Sequence, residues 1–186
     1  DKNNNNALLY VKDINTFNLI YPKSILRKNK LNQNLLTRLF YINLIDLEFI
    51  RLLQKFYDIY EIDKLKKSIL DYFLDSINTD EKIFAYLCKY FKITKNYINK
   101  ILKNKNERLC IYLIKNNLID INYLNSENKG ILDFFSYNEE IISLVENKYI
   151  LCLNALDNIQ NINLLKFIDD NDIDYVFNNT NNLKIK

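Results

Sequence analysis

A sixteen-residue segment occurs twice in this chain. Asp58-Ile59-Tyr60 leads through a short polar stretch into Lys67-Ser68-Ile69-Leu70-Asp71-Tyr72-Phe73. Sixty-two residues later, Asp120-Ile121-Asn122 leads into Lys129-Gly130-Ile131-Leu132-Asp133-Phe134-Phe135 with no gap between the copies. Seven of the sixteen positions are identical, and Tyr72 against Phe134 is an aromatic exchange. A spacing near twice thirty-one points to stacked helical units of about 30 residues, the construction of a solenoid.

Helical periodicity carries the rest of the chain. Ile45, Phe49, Leu52, Leu53 and Phe56 recur at intervals of three and four, as do Ile83, Tyr86, Leu87 and Phe91. The stretches 97–102, 109–114, 141–145 and 162–168 read the same way, and no apolar stretch alternates as a strand with glycine turns would. Asp80 and Thr94 are placed to start helices. The pattern predicts nine or ten short helices in one all-α domain over 1–186, with 1–6 and 179–186 as frayed ends. Short loops at 104–106 and 158–161 alternate with long ones at 57–67, 117–129 and 171–182, where Asp172-Ile173-Asp174-Tyr175 echoes Asp120. Helix, short turn, helix, long loop is the rhythm of a two-helix repeat.

Glycine and proline occur once each, as Gly130 and Pro22, while Asn occurs 31 times. Asn is the residue that tolerates left-handed backbone where Gly is scarce, so it is expected in the turns. Asn, Ile, Lys and Tyr share AT-rich codons, so this skew reports mutational bias, of the kind seen in intracellular parasites and large viruses.

These motifs resemble degenerate ankyrin repeats. Ser68-Ile69-Leu70-Asp71 and Gly130-Ile131-Leu132-Asp133 stand where that family's Thr-Pro-Leu-His signature opens the first helix. Residues 109–117 resemble its second helix, and Ile119-Asp120-Ile121-Asn122 the turn that follows. A weaker copy runs over 164–174. The signature Pro and His are missing, and aromatics at 72–73 and 134–135 replace the small residues of the family's first helix. The resemblance implies a helical-repeat solenoid of about five divergent ankyrin-like helix pairs with irregular curvature. It also implies a non-catalytic protein–protein interaction module, an effector or adaptor, with loop tips and first helices as the contact face. On that basis the expected partner-binding residues are Tyr60, Glu61 and Lys64 in one loop. In the other they are Asn122, Tyr123, Asn125 and Glu127. Tyrosine at such positions offers rigid amphipathic area.

Little in the sequence suggests chemistry. His is absent, so a general base near neutral pH would need a perturbed Asp, Glu, Lys or Cys. No phosphate-cradling or nucleophile motif occurs, and no enzyme activity or cofactor is expected. Glu139-Glu140 fit the start of a helix. The acidic run 169–174 lacks the Gly and the closing Glu of an EF-hand. Cys88, Cys110 and Cys152 lie far apart in apolar surroundings and read as buried thiols rather than zinc ligands. Asn178-Asn179-Thr180 is a glycosylation sequon that matters only in a secreted chain.

Charge is uneven. Between Lys89 and Arg108 seven basic residues face one acid, whereas 118–174 holds eleven acids and three lysines. The basic stretch 89–108, with Tyr90, Phe91 and Tyr97 interleaved, is the basis of an alternative reading as a nucleic-acid-associated helical protein. A net charge of +3 argues against a dedicated nucleic-acid binder. The expected partner is another protein, and the expected state a monomer without a membrane span. The absence of an initiator Met tilts the expected compartment toward secreted or host-directed over cytoplasmic.

Overall fold

Among the described residues every helix but the one after Gly130 begins at a side chain able to cap it, and those caps define the architecture. The computed structural model describes residues 6–21, 27–76 and 79–145. Cys152 and the expected features at 158–182, including the acidic run, the sequon and the Asp172 echo, lie outside the described residues, as do Pro22 and the tail. Every regular element among the described residues is helical. A 3-10 turn, Ala7–Tyr10, precedes α1 (Ile14–Ile20), α2 (Leu35–Tyr41), α3 (Leu47–Leu53), α4 (Ile69–Asp75) and α5 (Glu81–Leu87). Then come α6 (Lys95–Lys103), α7 (Glu107–Lys115), α8 (Ile131–Phe135) and α9 (Glu139–Val145).

From α2 onward the helices come in pairs. The first helices are N-capped at Asn34, Ser68, Thr94 and Gly130. The second helices are capped through the carboxylates of Asp46 and Asp80 and the amide oxygens of Asn106 and Asn138. The second cap follows the first by twelve residues in three pairs (34 to 46, 68 to 80, 94 to 106) and by eight in the last (130 to 138). A five-residue α8 and the short turn after it together account for that difference. Thr94 starts α6 as expected but makes no side-chain cap bond.

Two compact units divide at Lys92 and Ile93. In the first, α2 packs against α3, α4 and the N-terminal 3-10 turn, which also contacts α1. Its core is apolar and aromatic. Phe17 meets Phe49 and Phe56 at ring distances of 5.8 and 5.6 Å, and Phe73 of α4 stacks on Phe84 of α5 at 6.0 Å. Arg51 of α3 lies over the Tyr86 ring of α5 at 5.6 Å, and Tyr86 donates to Gln54. Phe73 is fully buried and fills the space between α4 and α5. In the second unit α6 packs on α7 and α8, α7 on α9, and α8 on α9. Leu109, Cys110, Leu113, Ile131, Leu132, Phe135 and Ile141 close its core.

Among the described residues six occupy left-handed backbone: Asn32, Asn43, Lys66, Lys105, Asn117 and Asn128. Asn43, Lys105 and Asn117 end helices by the Schellman pattern, with the next N–H returning to a carbonyl five residues back (Leu44 to Leu39, Asn106 to Ile101, Leu118 to Leu113). Glycine is the usual choice there. This chain's one glycine, Gly130, has φ −96° and is used instead at an N-cap.

Candidate functional site

The long loops are one structure built three times. Each has an Asx residue five positions before the helix cap: Asn29 before Asn34, Asp63 before Ser68, Asn125 before Gly130. In every copy the backbone N–H of that Asx residue donates to the carbonyl four residues on: Asn29 to Gln33, Asp63 to Lys67, Asn125 to Lys129. The residue three positions on, left-handed in each case, donates its N–H back to the Asx carbonyl: Asn32, Lys66, Asn128. One side-chain oxygen of the Asx residue accepts the N–H groups two and four positions on, at 2.8 to 3.2 Å. An earlier Asx turn, Tyr60 N–H to Asp58 and Asn122 N–H to Asp120, both 2.9 Å, opens the second and third copies. Four loop donors thereby find acceptors without a strand partner.

The first two copies are tied to each other. Lys64 N–H donates to the Leu31 carbonyl at 2.9 Å, and Glu61 accepts from Asn34 and pairs with Lys28. Behind them lies a buried polar cluster. Asp63 accepts from Gln33 Nε2 at 3.0 Å and from the Tyr72 hydroxyl, while Asn29 Nδ2 donates to Gln33 Oε1 at 3.0 Å. Burial pushes the Asp63 carboxyl upward. The bonds from Tyr72, Gln33 and the N–H groups of Lys67 and Leu65 outweigh that and hold it below the usual range. Burial, then the neighbouring carboxylate, raises the Tyr72 phenol, so both groups keep their neutral-pH states. In the third copy Asn125 replaces Asp63 and Phe134 replaces Tyr72, so charge and hydroxyl are lost together.

The expected contact residues fall into two groups. Tyr60 is exposed and braced, its ring 5.5 Å from Phe91 and 6.5 Å from Tyr90. Lys64, Asn122 and Glu127 are also exposed. Glu127 pairs with Lys129 at 3.2 Å and more loosely with Lys103 at 4.0 Å. Glu61 is half-buried and occupied by Lys28 and Asn34. Tyr123 and Asn125 turn inward, 9% and 8% exposed. The Tyr123 hydroxyl donates to Asn99 at 2.8 Å, and Asn125 shapes the loop. Sequence reasoning passed over the exposed aliphatics at these tips, Ile62, Leu65 and Leu124. It also passed over the whole first copy, although Asn29-Lys30-Leu31 against Asp63-Lys64-Leu65 was a readable signal.

Of the basic stretch, Lys89, Lys92, Lys95, Lys103, Lys105 and Arg108 are exposed. Glu139 and Glu140 open α9 as expected, and Glu140 pairs with Lys115 at 2.7 Å. Burial pushes the thiols of Cys88 and Cys110 up to about 11 and about 12. Among the described residues no group of three His, Cys, Asp or Glu could hold a metal ion, and no helix is long and apolar enough to cross a membrane. The Tyr57 hydroxyl is buried without a hydrogen-bond partner, and burial with Tyr21 nearby pushes it up to about 12. No family model matches this chain, and neither a curated protein nor a solved structure matches it.

Proposed function

We propose that this chain is a non-catalytic protein–protein interaction module, an irregular ankyrin-like solenoid that serves as an adaptor or effector. The observation that carries this reading is the threefold construction of one loop, each copy rigidly hydrogen-bonded and each presenting different side chains to solvent. A fixed scaffold with variable tips is how a binding surface is made without chemistry of its own. The packing of α2 on α4, α6 on α8 and α7 on α9 supports stacked helix pairs. Tyr60 and Lys64 form the contact surface of one tip, with Glu61 held beside them by Lys28 and Asn34, and Asn122 and Glu127 form that of another. Tyr123 and Asn125 hold the second in shape.

Site-specific photo-crosslinking tests it. A crosslinker at Tyr60 or Asn122 should capture one protein that crosslinkers on α3 at Arg51 and on α7 at Lys115 do not. The purified protein should lose affinity for Tyr60→Ala. Equal capture from α3 and α7, or affinity indifferent to Tyr60→Ala, would refute the reading.

A second reading rests on the exposure of Lys92, Lys95, Lys103 and Lys105 and makes the chain a nucleic-acid-associated protein. Micromolar, steeply salt-dependent binding to mixed-sequence RNA or DNA that vanishes when these lysines are neutralised supports it. No binding at low salt sinks it.

A further inference from the structure

The tips of the first two loops share a chemistry that the third lacks. Within 27–33 and 61–67 the acids are Glu61, occupied by Lys28 and Asn34, and Asp63, buried in its own hydrogen bonds. Against them stand Arg27, Lys30, Lys64 and Lys66, all exposed and, among the described residues, without an ion pair. Lys67 is turned away to Asp75 at 2.8 Å. Among these cations Ile62 and Leu65 leave 55% and 52% of their surface in water. The Lys64-to-Leu31 backbone bond sets the two loops side by side, so Lys30 and Lys64 occupy equivalent positions of neighbouring loops, as do Leu31 and Leu65. The third tip carries Leu124, Ser126, Glu127 and Asn128, with Glu127 paired to Lys129.

We propose that the paired tip of loops 27–33 and 61–67 is a docking surface for an anionic lipid membrane. Lysine ammonium groups are attracted to phosphate and carboxylate headgroups. Ile62 and Leu65 lie between them at a turn where shallow insertion removes apolar surface from water. The long lysine stems let charge stay at headgroup level while the aliphatics go deeper. A loop tip that carries its apolar residues outward suits a surface rather than a peptide. This inference goes beyond the protein-binding reading and shares Lys64 with it; its failure would leave the Tyr60 crosslinking test untouched.

Cosedimentation of the whole chain with vesicles tests it, using phosphatidylcholine alone and phosphatidylcholine with phosphatidylserine. The chain should pellet with the second and stay soluble with the first. Lys30→Gln/Lys64→Gln/Lys66→Gln should weaken binding by about a hundredfold, near fivefold per charge at the surface. Ile62→Ser/Leu65→Ser should weaken it by about tenfold, since each loses part of an aliphatic transfer. Leu124→Ser, at the same position of the third tip, should change nothing, and all these positions are exposed enough to leave the fold intact by circular dichroism. Failure to bind phosphatidylserine vesicles overturns the proposal. So does binding that survives the tip variants but is lost on neutralising Lys92, Lys95, Lys103 and Lys105. Binding to soluble polyglutamate with none to the vesicles overturns it in favour of an acidic protein partner.

Discussion

Replacing Asp63 by Asn removes a charge and almost no volume, and its cost can be worked from four hydrogen bonds. One carboxylate oxygen holds the N–H groups of Leu65 and Lys67 at 2.8 and 3.2 Å, and an amide oxygen can keep both, as Asn29 and Asn125 do. The other oxygen accepts from Gln33 Nε2 and Tyr72, and an NH2 group there faces two donors. The Tyr72 hydroxyl can turn and accept. Gln33 cannot flip without breaking its bond from Asn29. One charge-assisted bond is lost, and Gln33 Nε2 keeps only its longer bond to the Tyr72 hydroxyl at 3.3 Å, so Asp63→Asn should cost about 2 kcal/mol. Urea unfolding followed by far-UV circular dichroism at neutral pH reads this directly. The folded carboxyl lies below its ordinary 3.8, so its contribution is full above that value and is lost as pH falls through the folded value. The gap between wild type and variant should therefore hold steady from pH 7 to 5 and close below about pH 4. Adding Tyr72→Phe recreates the Asn125–Phe134 pairing of the third copy. The double variant should cost less than the two singles added together, by about 1 kcal/mol. A variant within 0.5 kcal/mol of wild type (about the resolution of additivity tests), or a gap that does not shrink as pH falls below about 4, would show that the cluster does not hold the loop.

Other outcomes follow from the same geometry. Ser68 completes a capping box with Asp71, whereas Gly130 offers only its N–H to Asp133; Gly130→Ser should raise stability by about 0.5–1 kcal/mol. Its new Cβ would lie 3.3 Å from Leu124 Cδ2, the end of an exposed side chain, so a loss in thermal unfolding would mean that Leu124 cannot give way. Lys105→Gly should gain about 0.5 kcal/mol, because left-handed backbone costs a lysine more than glycine loses in chain entropy. Asn117→Gly should be near neutral, since Asn already tolerates that conformation. In a Cys88→Ser/Cys152→Ser background, Cys110 should react with a disulfide reagent at pH 8 only as the chain unfolds, its buried thiol being pushed up to about 12. Prompt reaction of Cys110 in the folded protein would contradict its burial.

The helices were legible because their apolar residues recur at three and four, and because Asp80 and Thr94 mark starts on sight. The left-handed turns were legible in kind, since Asn fills four of six. Lys66 and Lys105, which take the other two, carry no such signal. Exposure at the tips was not legible residue by residue. A loop held together by its own side chains must turn some polar residues inward, and Asn125 reads like any surface Asn until its two N–H partners are known. Tyr123 is similar: its amphipathic ring suits a contact surface equally well as a buried bond to Asn99. The Asp63–Tyr72 pair did leave a trace, since both members change together in the other copy.

The caps also explain why the sequence shows a period of 62 rather than 31. Among the described residues four helix pairs follow from α2 onward, but the hydrogen-bonded loop precedes only three of them. The cap of α6, Thr94, follows Ser68 by 26 residues, against 34 from Asn34 to Ser68 and 36 from Thr94 to Gly130. Five positions before Thr94 stands Lys89, which has no side-chain acceptor to gather loop N–H groups. Without that acceptor a long excursion would leave donors unpartnered, and the connection from α5 to α6 is correspondingly short. The conspicuous sequence identity belongs to the loop and the helix start it delivers, not to the helix pair as a whole. A pair without the loop therefore leaves no copy of the motif, and the next visible copy falls one unit later.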